Sequence, residues 1–388
     1  MVAVLTRRRK ALTAIFACIS GLLLSACDVS LPSGPLLGGG GSVKVALLVP
    51  QSSANGAPIA LSLENAARLA AEDLGEGIEV DLRVYDTGGT PAGAEVAARN
   101  ALSDGAEIFL GPLFAEAANA AGQVAASRGV NVLTFSNNPS IAGGNVFILG
   151  NTFQTSADRL ARYAVRQGKG DIYIVHAQDP AEQIGASAIQ RAINANGGRV
   201  AGVTSFPLSQ QGVIDTIPTI AREYRQTGAT SIFATSGTAG ALPFLAELLP
   251  ENGIDRETSQ FIGLQRMDVP SSALTLKGLQ GAWFAAPSPA LQAQFQDRYH
   301  AAYGALPHPI AGLAYDGIAA IGSLVARGDG NTLGAAALTQ GQGFAGVNGP
   351  FRFFPNGTNE RGLAVATIEN NQVIVLDPAP RSFGGIGF

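Results

Sequence analysis

Residues 43–49 are apolar except for Lys44, and Pro50 ends the run. A continuous apolar segment of that length suits a strand covered on both faces, as in a parallel sheet. After polar Gln51, Ser52 and Ser53 the spacing changes. Ile59, Leu63, Ala66, Ala67, Leu69 and Ala70 recur at helical intervals up to Gly75, which predicts a helix closed by a glycine cap. The same unit repeats, with strands at 78–85, 107–110 and 131–135 and helices at 91–103 and 115–127. Parallel pairs need a crossover helix, so a parallel sheet explains the rhythm most economically.

The rhythm restarts beyond Gly150 and Asn151, which read as a hinge. Helices are predicted at 156–167, 182–196, 214–227 and 238–249, with strands at 172–175, 200–206, 231–234 and 261–264. Helices at 291–303 and 309–326 and a strand-rich segment at 351–376 follow. Two cycles of similar size with no shared motif point to two doubly wound domains rather than a solenoid. Apolar residues at 46% and charged residues at 14% agree, because large sheets buried on both faces need few charges. The net charge is −4 and lysine occurs only as Lys10, Lys44, Lys169 and Lys277. No basic cluster lies beyond the leader, so nucleic acid is not an expected partner.

The first residues have a different pattern. Arg7, Arg8, Arg9 and Lys10 precede an apolar run from Ala11 to Leu24, the arrangement of a secretion signal. As a helix that run would reach about 21 Å, short of the roughly 30 Å hydrocarbon core. Leu24-Ser25-Ala26-Cys27 resembles the bacterial lipoprotein box, which implies cleavage before Cys27 and acylation of its thiol; a plain secretory signal is the alternative. Residues 1–26 are therefore read as signal, and 27–42, rich in Gly and Pro, as a tether. The only other cysteine, Cys18, lies within the leader, so no disulfide is expected in the mature chain.

In open parallel sheets ligands gather beyond the carboxyl ends of the strands. The loops there offer Gln51, Ser52, Leu113, Phe114, Ser136, Asn137, Gln178, Ser236, Gln265 and Arg266. Hydroxyls, amides and aromatics suit hydrogen-bonded recognition more than bond making. The sequence contains no G-x-S-x-G, S-x-x-K, H-E-x-x-H or phosphate-cradling G-x-x-x-x-G-K motif. Neither enzymatic activity nor a cofactor or metal is expected. His176 and Asp179 could form a base and its orienter, but ordinary loop polarity is the simpler reading. Trp283 reads as core, with an aromatic wall on the cleft as the alternative.

Several segments match a known pattern in order and spacing: the strand at 43–50, Glu64-Asn65-Ala66-Ala67, Tyr85-Asp86-Thr87, Ile108 to Pro112, Phe135 to Pro139 and Tyr315-Asp316-Gly317. They resemble type I periplasmic binding proteins of the branched-chain amino-acid receptor group. The resemblance implies an α/β fold, two doubly wound Rossmann-like lobes with parallel sheets around a central cleft. It assigns 43–152 plus 289–331 to the N-terminal lobe, 153–288 plus 332–380 to the C-terminal lobe, and 381–388 to a tail. The amino-acid clamp does not carry over. Ala115 stands where those receptors place a serine, Gln265 near their acidic residue, and Ile184 near their cleft tyrosine. Each lost charged or hydrogen-bonded partner removes roughly 1.5 to 3 kcal/mol, which disfavours a free amino acid.

The Gly111-Pro112-Leu113 turn, the anchor and the tether are similar to penicillin-binding-protein activators, a lipoprotein subgroup of this fold. The leading expectation is therefore a periplasmic lipoprotein, on the inner or outer membrane, that regulates peptidoglycan synthesis by contacting a penicillin-binding protein. The alternative is a solute receptor that delivers a small polar ligand to an ABC permease, with Ser52, Ser136, Asn137, Gln178 and Arg266 holding it.

Overall fold

The computed structural model describes residues 41–328 and 332–383. Cys27, most of the tether and Phe388 lie outside them. Among the described residues no helix is long and apolar enough to cross a membrane.

The first lobe is built on a five-stranded sheet of order β2-β1-β3-β4-β5, every pair parallel. Its strands are β1 (Gly41–Val49), β2 (Ile78–Asp86), β3 (Ile108–Leu110), β4 (Asn131–Thr134) and β5 (Val146–Ile148). One face is covered by α1 (Ala57–Glu72) and the other by α2 (Pro91–Ser103) and α3 (Ala115–Ala126). Val45, Leu47 and Val49 point to the first core while Ala46 and Leu48 point to the second. That alternation is why 43–49 reads as one unbroken apolar run.

The chain then crosses into the second lobe through Thr152, whose side chain accepts a hydrogen bond from Thr155 N and caps α4 (Phe153–Arg166). The second sheet has the order β14-β13-β10-β9-β8-β6-β7. Strands β6 (Asp171–Ala177), β7 (Arg199–Phe206), β8 (Ser231–Ala234), β9 (Gln260–Gly263) and β10 (Trp283–Ala286) are parallel. α4 and α5 (Pro180–Ala195) cover one face, and α6 (Gln210–Thr227) and α7 (Leu242–Glu251) the other. α7 begins four residues later than the spacing predicts. After β10 the chain returns to the first lobe as α8 (Pro289–Tyr303) and α9 (Gly312–Val325), whose Tyr299, Ile318 and Ile321 enter the core beside α1.

A third passage carries the chain back. Strands β11 (Phe351–Phe353) and β12 (Asn359–Arg361) form a short hairpin, and β13 (Ala364–Glu369) and β14 (Gln372–Asp377) add antiparallel to the second sheet. Asn370 and Asn371 make the β13–β14 turn with φ of 52° and 62°, the left-handed backbone that a two-residue hairpin requires. The apportioning of 332–380 to the second lobe needs correction. Leu338, Phe344, Val347, Phe351 and Phe353 belong to the first lobe's core, where Phe353 meets Phe147 edge-on at 5.7 Å. Only from β13 onward does the segment join the second sheet. Within the tail, Phe383 is buried and Arg352 lies 4.9 Å from its ring.

Buried polar groups fasten the passages together. Arg361 and Asp316, 2% and 0% exposed, pair at 2.7 Å. Asp316 also accepts from Val347 N and Asn348 Nδ2, and Arg361 Nε donates to Leu149 O. Asn359 Nδ2 donates to the carbonyls of Ile148 and Gly150.

Candidate functional site

Each sheet contains one point where the chain changes direction along the strand order. In the first lobe it lies between β1 and β3, because β1 leads outward to β2 and the chain then returns to β3, β4 and β5. In the second it lies between β6 and β8, flanked outward by β7. The crevice at such a point, beyond the carboxyl ends of the strands, is where open α/β sheets bind ligands. Gln51 and Ser52 follow β1, and Leu113 and Phe114 follow β3. Gln178 and Ile184 follow β6, and Ser236 follows β8. Seven of the sequence-predicted residues thus flank the two switch points. Ser136 and Asn137 follow β4, and Gln265 and Arg266 follow β9, one strand further out.

In the first lobe these loops lean on one another. Ser52 N donates to Asp86 Oδ1 at 3.2 Å and Gly88 N to the same oxygen at 2.8 Å. Burial opposes ionisation of Asp86, yet the hydrogen bonds from Ser52, Gly88 and Gln51 outweigh it and hold the carboxyl below its ordinary value. A Cβ on Gly89 would lie 3.2 Å from the Phe114 ring and 3.3 Å from Ser53, so this turn packs directly under the aromatic. Phe114 remains 41% exposed while Leu113 packs against the core. Gly111, which turns the chain after β3, has φ +94°, and a Cβ there would meet Leu48 O at 2.2 Å. Only glycine fits that approach. Ser136 is buried, its Oγ accepting from Asn138 N, whereas Asn137 is exposed.

The second lobe holds a group that the sequence reading passed over. Glu182, in the first turn of α5, accepts from Ala177 N at 2.6 Å, Thr235 Oγ1 at 2.8 Å and Ser236 Oγ at 2.8 Å. It therefore ties the ends of β6 and β8 together at the switch point. Gln265 Nε2 donates to Thr235 O, extending the brace to β9. Two residues on, Ile184 is 41% exposed. The two switch points thus each carry a carboxylate, Asp86 and Glu182, held by neighbouring donors, although the amino-acid clamp positions are changed. The only sequence signal for Glu182 was its place three residues after an N-cap aspartate.

Some candidates have other duties. Gln178 donates to Ser205 on β7, and Gln51 to Glu64 on α1. Arg266 is held by Asp268 at 2.8 and 2.5 Å within its own loop. Asp179 caps α5 through Ala181 N and Glu182 N, while His176 Nδ1 lies 2.8 Å from Ala177 O, so the two do not form a base and orienter. Trp283 packs edge-on against Tyr163 at 4.8 Å on the α4 face of the second sheet, the core reading of that residue. Among the described residues no cluster of His, Cys, Asp or Glu could hold a metal ion.

Comparison with known proteins agrees with this architecture. A structure from Rhodospirillum rubrum described as a branched-chain amino acid ABC transporter shares 20% identity at a TM-score of 0.75, covering 86% of this chain and 100% of that one. A solute binding protein of an ABC transporter from Rhodopseudomonas palustris, in complex with 3,4-dihydroxy benzoic acid, shares 18% identity at a TM-score of 0.60, covering 88% and 98%. A leucine binding protein from Thermotoga maritima shares 16% identity at a TM-score of 0.60, covering 87% and 98%. No curated protein matches the chain. Residues 42–372 match the family described as periplasmic binding protein, and with both lobes and both switch points accounted for, the chain belongs to that family.

Proposed function

We propose that the protein is a solute receptor for an ABC importer and binds a small organic molecule between its lobes. The observation supporting this reading is the pair of switch points, each carrying one large exposed apolar side chain, Phe114 in one lobe and Ile184 in the other, beside polar loops. Large side chains exposed at a crevice serve ligands better than they serve the apo protein. A solute with an apolar body and hydrogen-bonding substituents fits this lining better than the small polar ligand expected from sequence. The solved relatives that carry ligand names, a leucine binding protein and a dihydroxybenzoate complex, lie in that range of chemistry.

The activator reading loses ground. It rested on the changed amino-acid clamp, which disfavours a free amino acid but not other solutes, on the Gly111-Pro112-Leu113 turn, where Gly111 is required by the approach to Leu48, and on the anchor and tether, which serve a transport receptor equally well. Cys27, acylated, would hold the receptor at the membrane beside its permease; two chains at about 0.8 kcal/mol per buried methylene suffice for stable attachment.

Thermal unfolding in the presence of branched aliphatic amino acids and hydroxybenzoates tests the reading. A ligand at a hundredfold excess over its dissociation constant adds about 2.7 kcal/mol. Phe114→Ala and Ile184→Ser should each weaken that stabilisation. If no solute stabilises the protein while a purified bifunctional penicillin-binding protein binds it, the receptor assignment fails and the activator reading returns.

A further inference from the structure

A cavity of about 760 Å³ is walled by α4, β12 and the C-terminal segment from Asp377 to Phe383. Arginine dominates its lining: Arg159, Arg162 and Arg166 from α4, Arg191 from α5, Arg361 from β12 and Arg381 from the tail. This concentration stands out in a chain of net charge −4. The pattern has a helical origin, since Gln154, Asp158, Arg162 and Arg166 recur every fourth residue and share one face of α4.

The arginines divide by duty. Arg159 is committed to the C-terminal part of the chain, donating to Leu363 O, to the Asp377 carboxylate and carbonyl, and to Pro378 O. Arg166 also pairs with Asp377. Of the other lining carboxylates, Glu360 is taken by Arg352, and Asp158 accepts from Gln154 and lies within electrostatic reach of Arg162 and Arg191. Arg162 and Arg191 make one hydrogen bond each through Nε, to Asn196 and Gln154, and no ion pair involves either of them or Arg381 among the described residues. Arg361 is buried, and its Nη2 has no hydrogen-bond partner. A buried guanidinium donor left unmet, beside exposed arginines of which Arg162 and Arg191 share the charge of Asp158 without a direct ion pair, is a costly arrangement unless an acceptor completes it.

We propose that this cavity is an anion site, separate from the cleft, that takes a small multiply charged oxyanion such as a phosphate ester or a polycarboxylate. The planar guanidinium fork matches both groups by paired, parallel hydrogen bonds, and several forks around one cavity favour more than one negative charge on the ligand. Because its walls include the first residues after one passage and the last before another, an occupant would join the C-terminal segment to the hinge side of α4.

Calorimetric titration of the mature protein with pyrophosphate and, separately, citrate at an ionic strength of about 0.15 M tests this. Saturable binding of either anion is expected, and which one binds distinguishes a phosphate ligand from a carboxylate one. Arg162→Gln/Arg191→Gln should weaken it by at least about tenfold. Both side chains are exposed and outside ion pairs, and Arg381→Gln, on the tail, provides an independent second variant. No binding of either anion, or equal affinity in these variants, overturns the proposal. The titration is repeated in Phe114→Ala/Ile184→Ser: unchanged affinity supports a separate site, whereas loss would place the anion in the cleft and overturn it, leaving the receptor reading intact.

Discussion

Removing the carboxylate of Asp316 should be among the most damaging single changes to this protein, for a reason visible in the structure. Asp316 sits within α9 with no exposed surface and takes hydrogen bonds from Arg361, Val347 N and Asn348. Burial pushes its carboxyl up while Arg361 and the hydrogen bonds pull it down, and loss of the group leaves a guanidinium stranded in the interior. Breaking a buried pair from one side costs about 3 to 5 kcal/mol. At about 2.1 cal/mol/K of unfolding entropy per residue over about 350 residues, that corresponds to a fall in Tm of roughly 4 to 7 °C. Asp316→Leu followed by urea and thermal unfolding measures it. Asp316→Leu/Arg361→Met should be less destabilised than the two single losses summed, because no charge remains unpaired, even though Leu149 O loses its donor. Additive losses, or a single loss below about 1 kcal/mol, would refute the reasoning and mean that water reaches the pair.

Three further outcomes follow from the geometry. Gly111→Ala combines a left-handed backbone with a Cβ 2.2 Å from Leu48 O and should cost about 2 to 5 kcal/mol, seen as a lowered urea midpoint or loss of soluble protein. Glu182→Ala should cost about 1 to 3 kcal/mol in the same assay, since Ala177 N, Thr235 and Ser236 lose a shared acceptor that water can partly replace. Burial depresses the His308 pKa below 6.5, so the unfolded chain takes up a proton first and stability should decline as pH falls below that value; His308→Gln should flatten Tm against pH in this window.

The repeated strand and helix pattern was legible because both faces of each sheet are buried. Residues 45–49 and 232–234 are apolar regardless of which core each side chain joins, and the intervening helices show their buried stripe directly. The three-residue strand β5 was not legible. Val146, Phe147 and Ile148 are too few to show a period, and they become a strand only by lying beside β4. The segment around Phe344, Phe351 and Phe353 was misplaced for a related reason: its aromatics declare burial but not which lobe receives them.

The same division holds for function. Which loops carry polar and aromatic side chains followed from local pattern alone, because turn chemistry and the ends of apolar runs are properties of neighbouring residues. That Phe114 and Ile184 stay exposed, that Arg266 is occupied by Asp268, that Glu182 braces two strands and that arginines from four separate segments meet at one cavity were decided by tertiary structure. Each depends on partners distant in the chain, and hydrophobic periodicity records burial without recording which residues are brought together.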